Sequence, residues 1–164
     1  VCGILKDPPQ ETIHEFMSAF SIRPVRAEPL IEVSKIYRSL EKPGAAYVFA
    51  KQAVELPYPQ NDILFISEDV YSYGALDEIS ATAYYAGHVL EGYNATKKLL
   101  EDKLVPEAHV ERVKKNFEQY QTVMQQVQAQ QMQQNMNQQI EKMKEKKEQK
   151  AQTTKYKKKK ARSR

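Results

Sequence analysis

Apolar residues at helical spacing, interrupted by proline and glycine at corresponding places, constrain this chain more than any other feature. Residues three and four apart lie on one face of a helix, so a periodic apolar stripe predicts an amphipathic helix. The stripes occur in two successive pairs: residues 26–40 with 45–56, broken at Pro43 and Gly44, and residues 70–86 with 90–100, broken at Gly87 and His88. The sequence therefore predicts an all-α fold built around two helical hairpins.

The second helix of the first hairpin has a face made mostly of small residues. Small side chains let two helix backbones approach closely, so we expect this face to pack tightly against a neighbour. Its members are Ala45, Ala46, Phe49, Ala50, Ala53 and Leu56.

The connection between the hairpins, residues 57–69, contains Pro57 and Pro59 and cannot continue a helix. We expect it to tuck the side chains of Tyr58, Leu64 and Phe65 against the hairpins. Ser67 is a candidate N-cap of the helix that follows it.

Further helices are predicted on both sides of the hairpins. An N-terminal helix within residues 1–25 carries Ile13, Phe16, Met17 and Phe20 at helical spacing. After Pro106, an apolar seam runs from Val110 to Val127 with steps of three and four, which is typical of a capping helix or of self-association by a coiled coil. Residues 119–139 then contain 11 glutamines. We predict a Gln-rich extended helix at 119–148 and a disordered basic tail at 149–164, after a helical repeat domain at 26–118.

The charge of the chain is divided unequally along its length. Residues 141–164 hold 12 Lys+Arg and three Asp+Glu, net +9, whereas residues 1–140 hold 13 and 18, net −5. A nucleic-acid-binding fold carries its positive patch on the folded surface, so the acidic body argues against one. Weak nucleic-acid binding would have to come from the tail.

Cysteine and hydropathy favour a cytoplasmic protein, or a nuclear one in a eukaryotic host. Cys2 is the one cysteine, which rules out a disulfide framework within the chain. No apolar run approaches the ~20 residues of a membrane span. The first residue is Val1, which predicts a processed product or a piece of a longer chain.

Several spaced phrases of the sequence resemble a known segment. They are IRPVRAEPL (22–30), YVFAK (47–51), LPYP (56–59) with Asp62 and the LF pair at 64–65, and DVY (69–71) followed by DE (77–78) and YYAG (84–87). Over about residues 12–118 the chain resembles the tetratricopeptide-like helical region attached to family-2-type glycosyltransferases of bacteria and large DNA viruses. Ala46 and Gly92, which occupy equivalent places in the two hairpins, are 46 residues apart, more than the usual ~34 of such repeats.

The resemblance implies an accessory role without catalysis. Catalysis in that family requires a separate nucleotide-sugar domain with an Asp-x-Asp metal motif, and this sequence contains no Asp-x-Asp. The family's catalytic residues therefore have no counterparts here, and we predict no cofactor or metal site.

Four sets of residues are candidate sites, each with a structural alternative. Arg23, Arg26 and Glu28 lie where two helices meet, and we favour an arginine bridging to a carboxylate or to helix-end carbonyls over an anion-binding site. Neighbouring acids Asp77 and Glu78 project about 100° apart on a helix, which favours a solvated face or interhelical hydrogen bonds over a metal or acid/base site.

The remaining candidates are tyrosines and tail lysines. Tyr71, Tyr84 and Tyr85, with Tyr73, are more typical of core packing than of a groove for a peptide or a sugar. The nucleic-acid candidates are Lys157, Lys158, Lys159, Lys160 and Arg162. The alternative is that they belong to a disordered chain end that only increases solubility.

Together these features predict a non-catalytic helical-repeat module that binds a protein partner, such as a glycosyltransferase or its substrate. Two alternatives stay open: a nucleic-acid-associated protein acting through its tail, and the C-terminal part of a complete glycosyltransferase.

Overall fold

The computed structural model describes the backbone of residues 8–62 and 64–162, and side chains of 8–62, 64–144, 146 and 147. All regular structure in these residues is helical. The helices are α1 (Pro9–Ile22), α2 (Glu28–Ser39), α3 (Pro43–Glu55), α4 (Ala75–Thr82), α5 (Val89–Glu101) and α6 (Glu107–Arg162), and a π-helical turn, Val70–Gly74, leads directly into α4. The predicted all-α class is confirmed.

Two compact units divide the chain between Val123 and Met124. In the first unit α2 pairs with α3, α3 with α4, and α4 with α5, while α1 packs against α2. The first turns of α6 also belong to this unit. None of the described helices is long and apolar enough to cross a membrane.

Left-handed residues end the first helix of each hairpin, but only one of them is a glycine. Gly87 has φ 84° and Glu41 has φ 57°. In each case the next residue's N–H returns to the helix: His88 donates to the Ala83 carbonyl at 2.8 Å and Lys42 to the Tyr37 carbonyl at 2.9 Å. These bonds satisfy carbonyls that the helix end leaves free. Gly44, which the sequence placed in the turn, lies instead in the first turn of α3.

The small face of α3 is buried as predicted. Ala46, Ala50 and Ala53 are almost wholly inaccessible to solvent. Ala53 belongs to a cluster with Leu30 of α2, and Ala50 to a second cluster with Ile79 of α4. Close approach on both sides explains why alanine, and not leucine, occupies this face.

Ala50→Leu is expected to destabilise the chain by ~1–3 kcal/mol, since the added atoms have no space between α3 and its neighbours. Urea unfolding followed by circular dichroism measures the change. The control is Val48→Ala on the same helix, where the side chain is exposed and the expected change is within ~0.5 kcal/mol. An Ala50→Leu variant as stable as the original would show that this interface is loose.

The connection between the hairpins leaves Leu64 and Phe65 exposed, at 68% and 92%, so our expectation for these two side chains was wrong. Tyr58 is 41% exposed but packs edge-on against Tyr71 of the second hairpin, with ring centroids 5.3 Å apart, as expected. What anchors the connection is polar: the Phe65 carbonyl accepts a hydrogen bond from Arg26 Nη2 at 2.6 Å. Ser67 makes no side-chain capping bond among the described contacts; its backbone N–H donates to Glu28 Oε1 at 3.1 Å.

The first part of the apolar seam of helix α6 packs against other helices of the same chain. Val113 and Tyr120 are fully buried, and Val113 clusters with Leu99 of α5. The ring of Phe117 stacks on Tyr93 with centroids 5.3 Å apart. Residues 110–120 therefore cap the second hairpin, and self-association through the whole seam from Val110 to Val127 stays a prediction.

The C-terminal end differs from the predicted disordered tail. The backbone of α6 is helical through Arg162, so residues 149–162 continue the Gln-rich helix. No glycine or proline follows Pro106, and Lys, Gln, Glu and Ala are good helix formers, which gives the local reason.

Candidate ligand-binding cleft

A concave cleft of about 890 Å³ opens in the first unit, between the first three turns of α6, helix α4 and the end of α2. Its floor and walls include Tyr73 and Gly74 of the π-helical turn. The charged and polar side chains that line it are Lys35, Arg38, Glu41, Asp77, Glu78, Tyr85, His109, Arg112 and Asn116.

Two arginines from different helices meet in this cleft because neighbouring acids on α4 hold them. Glu78 accepts two bonds from Arg38 of α2, from Nε at 3.0 Å and from Nη2 at 2.9 Å. Asp77 accepts from Arg112 Nη2 of α6 at 2.7 Å. Of the two structural roles that the sequence left open for these acids, a solvated face or interhelical hydrogen bonds, the structure shows the second. Their divergence on α4 lets each bind a different helix.

Burial differs sharply between the acids and the bases of these pairs. The Glu78 side chain is 6% exposed and that of Asp77 17%, whereas Arg38 is 47% and Arg112 44% exposed. Glu78 is further enclosed by Ser34, whose Oγ lies 3.4 Å from Glu78 Oε2. The carboxylates therefore lie beneath the guanidinium groups, and the cations form the accessible surface.

The α6 side of the cleft is held by a polar network around Ser80. Tyr120 Oη donates to the Ser80 carbonyl at 2.9 Å and accepts from the Tyr84 N–H at 2.9 Å. Asn116 Nδ2 and Thr96 Oγ1 lie 3.2 Å and 2.9 Å from Ser80 Oγ. This network fixes α6, and with it Arg112, against α4.

The four tyrosines singled out from the sequence do not line one groove. Tyr73 and Tyr85 line the cleft, and Tyr85 is largely exposed. Tyr84 packs edge-on against the rings of Tyr85 and Tyr120. Tyr71 lies elsewhere, with its hydroxyl donating to Glu28 Oε2 at 2.8 Å and accepting from the Ala27 N–H at 3.0 Å.

Arg23, Arg26 and Glu28 form an ion-pair cluster that ties α2 to the connection between the hairpins. Arg26 donates from Nη2 to Glu28 Oε1 at 2.7 Å and from Nε to Glu28 Oε2 at 3.0 Å. Asp62 joins the cluster through Arg23 Nη2 at 2.5 Å and Arg26 Nη1 at 3.3 Å. The arginines bridge to carboxylates, which is the arrangement that the sequence favoured over an anion site.

Hydrogen bonding in this cluster changes the ionisation of Glu28. Burial opposes the charged form, but bonds from Arg26, Tyr71 and the Ser67 N–H outweigh burial and lower the pKa of Glu28 below its usual value. A carboxyl whose pKa is lower in the folded state stabilises the fold above its unfolded pKa, and this contribution disappears as the pH falls through the folded pKa.

We therefore expect the free energy of unfolding to fall as the pH drops below about 4.5, the usual glutamate range. The Glu28→Gln variant should be less stable than the original chain at neutral pH, and its free energy of unfolding should depend less on pH. Urea titrations at pH 7, 5 and 3.5 measure the free energy of unfolding of both proteins. Glu32→Gln is the control, because Glu32 forms an exposed pair with Lys35 on the same helix. An identical pH dependence in Glu28→Gln and the original chain would contradict the assignment.

The tail candidates for nucleic-acid binding cannot be placed in a site. The side chains of Lys157, Lys158, Lys159, Lys160 and Arg162 lie outside the described residues; only the backbone there is helical. No group of three or more metal-binding side chains occurs in the part of the chain that the structure describes.

Sequence reasoning missed the three cations that face the cleft. Lys35 and Arg38 are three residues apart on α2, but nothing in the sequence links them to Arg112 on α6. The signal that pointed towards them was the Asp77 and Glu78 pair, whose partners only the folded chain reveals.

Comparison with known proteins adds no assignment. No protein-family model matches the chain, and neither a curated protein nor a solved structure matches it.

Proposed function

We propose that this chain is a non-catalytic helical-repeat module that binds a partner polypeptide in the cleft between α2, α4 and α6. The observation that carries the proposal is the pair of arginines in that cleft, each positioned by an acid beneath it. Positioned donors beside the exposed ring of Tyr85 are the chemistry of recognition sites, since aromatic and arginine side chains dominate the binding energy of protein interfaces. The paired helical hairpins are in keeping with a tetratricopeptide-like repeat.

The identity of the partner rests on the sequence resemblance. The phrases over about residues 12–118 resemble the helical region attached to glycosyltransferases, so we propose a glycosyltransferase or its substrate protein as the partner. The chain is then accessory to sugar transfer, either as a separate protein or as the C-terminal part of a longer enzyme.

Site-specific photo-crosslinking tests the module. A photoreactive amino acid replaces Tyr85, which is exposed and lines the cleft, and in a control replaces Val48, which is similarly exposed but lies on α3 away from it. In a lysate of the source organism we expect a polypeptide, identified by mass spectrometry, to be captured from position 85 and not from position 48. Equal capture from both positions would contradict a cleft-based module.

The non-catalytic part of the proposal has its own test. The pure chain is expected to leave a panel of sugar nucleotides unchanged over hours, with product followed by chromatography. Turnover that persists through repeated purification would refute it.

A second candidate function rests on charge alone. The net +9 of residues 141–164 supports weak, salt-sensitive binding of nucleic acid through the tail. Deleting residues 141–164 should then abolish binding of a DNA oligonucleotide, and replacing Lys157, Lys158, Lys159 and Lys160 by Gln should weaken it. Binding that survives the deletion would exclude the tail as the site.

A further inference from the structure

The cations that line the cleft are more exposed to solvent than most of its carboxylates. The lining has equal numbers of positive and negative side chains: Lys35, Arg38 and Arg112, and Glu41, Asp77 and Glu78. Their exposure differs: the side chains of the three cations are each more than 40% exposed, whereas those of Asp77 and Glu78 are mostly buried. Two carboxylates near these cations also face solvent: Glu41 in the lining, and Glu32, which is 40% exposed and accepts a hydrogen bond from Lys35 Nζ at 2.7 Å. The arginines, and not Lys35, are therefore the cations whose acids are buried.

The geometry of the two arginines leaves donors free. Arg38 uses Nε and Nη2 for Glu78, so its Nη1 has no acceptor among the described residues. Arg112 uses Nη2 for Asp77, and its Nε and Nη1 likewise have no described acceptor. A guanidinium held on one edge by a buried acid keeps its rotamer, so less conformational entropy is lost when the other donors bind a ligand.

We propose that the cleft binds an acidic segment of the partner polypeptide, with an Asp or Glu carboxylate accepting hydrogen bonds from Arg38 and Arg112. Carboxylate is the planar acceptor that matches a guanidinium, and charge-assisted bonds of this kind are roughly twice as strong as neutral ones. Lys35 and the hydroxyl of Tyr73 add donors along the same wall. This inference rests on the proposed function and names the chemistry of the partner.

The test selects random nonapeptides by display on the full-length chain and counter-selects them on the Lys35→Gln/Arg112→Gln double variant. Lys35 and Arg112 are each about half exposed, and glutamine at 112 keeps an amide donor on the side of the partly buried Asp77, so the variant is expected to fold, which circular dichroism and thermal unfolding check. The variant keeps the basic tail, so peptides that bind the tail are retained on both proteins and are removed.

We expect the selected peptides to be enriched in Asp and Glu over the starting library. For the best peptide, fluorescence anisotropy should show at least a tenfold loss of affinity when its anchoring acid becomes Asn, and a similar loss on the double variant. The matched control is Lys97→Gln/Lys98→Gln on α5, which removes the same charge away from the cleft and should change the affinity less than twofold.

Three outcomes would overturn the inference: selected peptides that are neutral or basic, no peptide that distinguishes the original chain from the cleft variant, or equal losses in the Lys97→Gln/Lys98→Gln control. Crosslinking from position 85 separates this failure from failure of the module. Capture of a partner there without a preference for acidic peptides refutes only the acidic chemistry, whereas no capture refutes both.

Discussion

Replacing Gly92 by alanine is expected to destabilise the first unit by about 3–5 kcal/mol, comparable to losing a buried aromatic side chain. A Cβ at position 92 would lie 2.2 Å from Tyr120 Oη and 2.3 Å from Tyr120 Cζ, distances at which the two groups cannot coexist. The Tyr120 ring would have to leave a site where it is 1% exposed. Its two hydrogen bonds, to the Ser80 carbonyl and from the Tyr84 N–H, would be lost with it.

Thermal unfolding followed by circular dichroism measures the effect, and a fall in Tm of roughly 10–20 °C is expected. Gly44→Ala is the matched control. Gly44 also lies in a helix, its φ is not positive, and a methyl group added there would have no neighbouring atom within 4 Å. Alanine there should be neutral or stabilising by up to ~1 kcal/mol, because it is the better helix former.

A double-mutant cycle assigns the cause. In a Tyr120→Ala background the ring is already gone, so adding Gly92→Ala should cost less than ~1 kcal/mol. If Gly92→Ala costs as much in that background as in the original chain, the close approach of α6 to α5 is not what requires glycine. The same result would weaken the placement of Arg112, which depends on α6 packing at this point.

Replacing Arg38 by methionine is the second large effect, with an expected cost of about 2–3 kcal/mol. The substitution keeps much of the apolar stem of the side chain but leaves Glu78 buried without its two charged donors. The expected cost is below the ~3–5 kcal/mol typical of a fully buried pair because Arg38 is half exposed, so water can reach part of the vacated site.

Chemical denaturation of Arg38→Met and of Arg38→Met/Glu78→Met measures the effect. Removing both charges should recover most of the stability, since an apolar pair of similar volume replaces the ion pair. The control is Lys35→Met on the same helix, whose pair with Glu32 is exposed and is worth less than ~1 kcal/mol. A double variant as unstable as Arg38→Met alone would show that the loss comes from packing of Arg38 and not from the stranded charge of Glu78.

The helices themselves could be predicted from the sequence because their signals are local. Apolar residues at steps of three and four defined the faces of α2, α3 and α5, and Pro57 with Pro59 excluded helix from the connection. Hydrogen bonds in a helix join residues four apart, so the relevant information lies within one turn of the chain.

Turns and long-range partners were beyond local reasoning. Glu41 takes a left-handed conformation that glycine normally favours, and only the Lys42 N–H bonding back to Tyr37 shows why. Phe65 is exposed, and its carbonyl accepts a hydrogen bond from Arg26, 39 residues away; the sequence has no pattern that records such a bond.

What the sequence by itself determined is therefore the all-α class, the two hairpins, the small face of α3 and the separation of acidic body from basic end. Only the tertiary structure decided that Arg38 and Arg112 share a cleft and that Gly92 makes room for Tyr120. The physical reason is that periodicity reports which face of a helix is apolar, whereas the pairing of a charge or a ring depends on which helix the packing brings opposite.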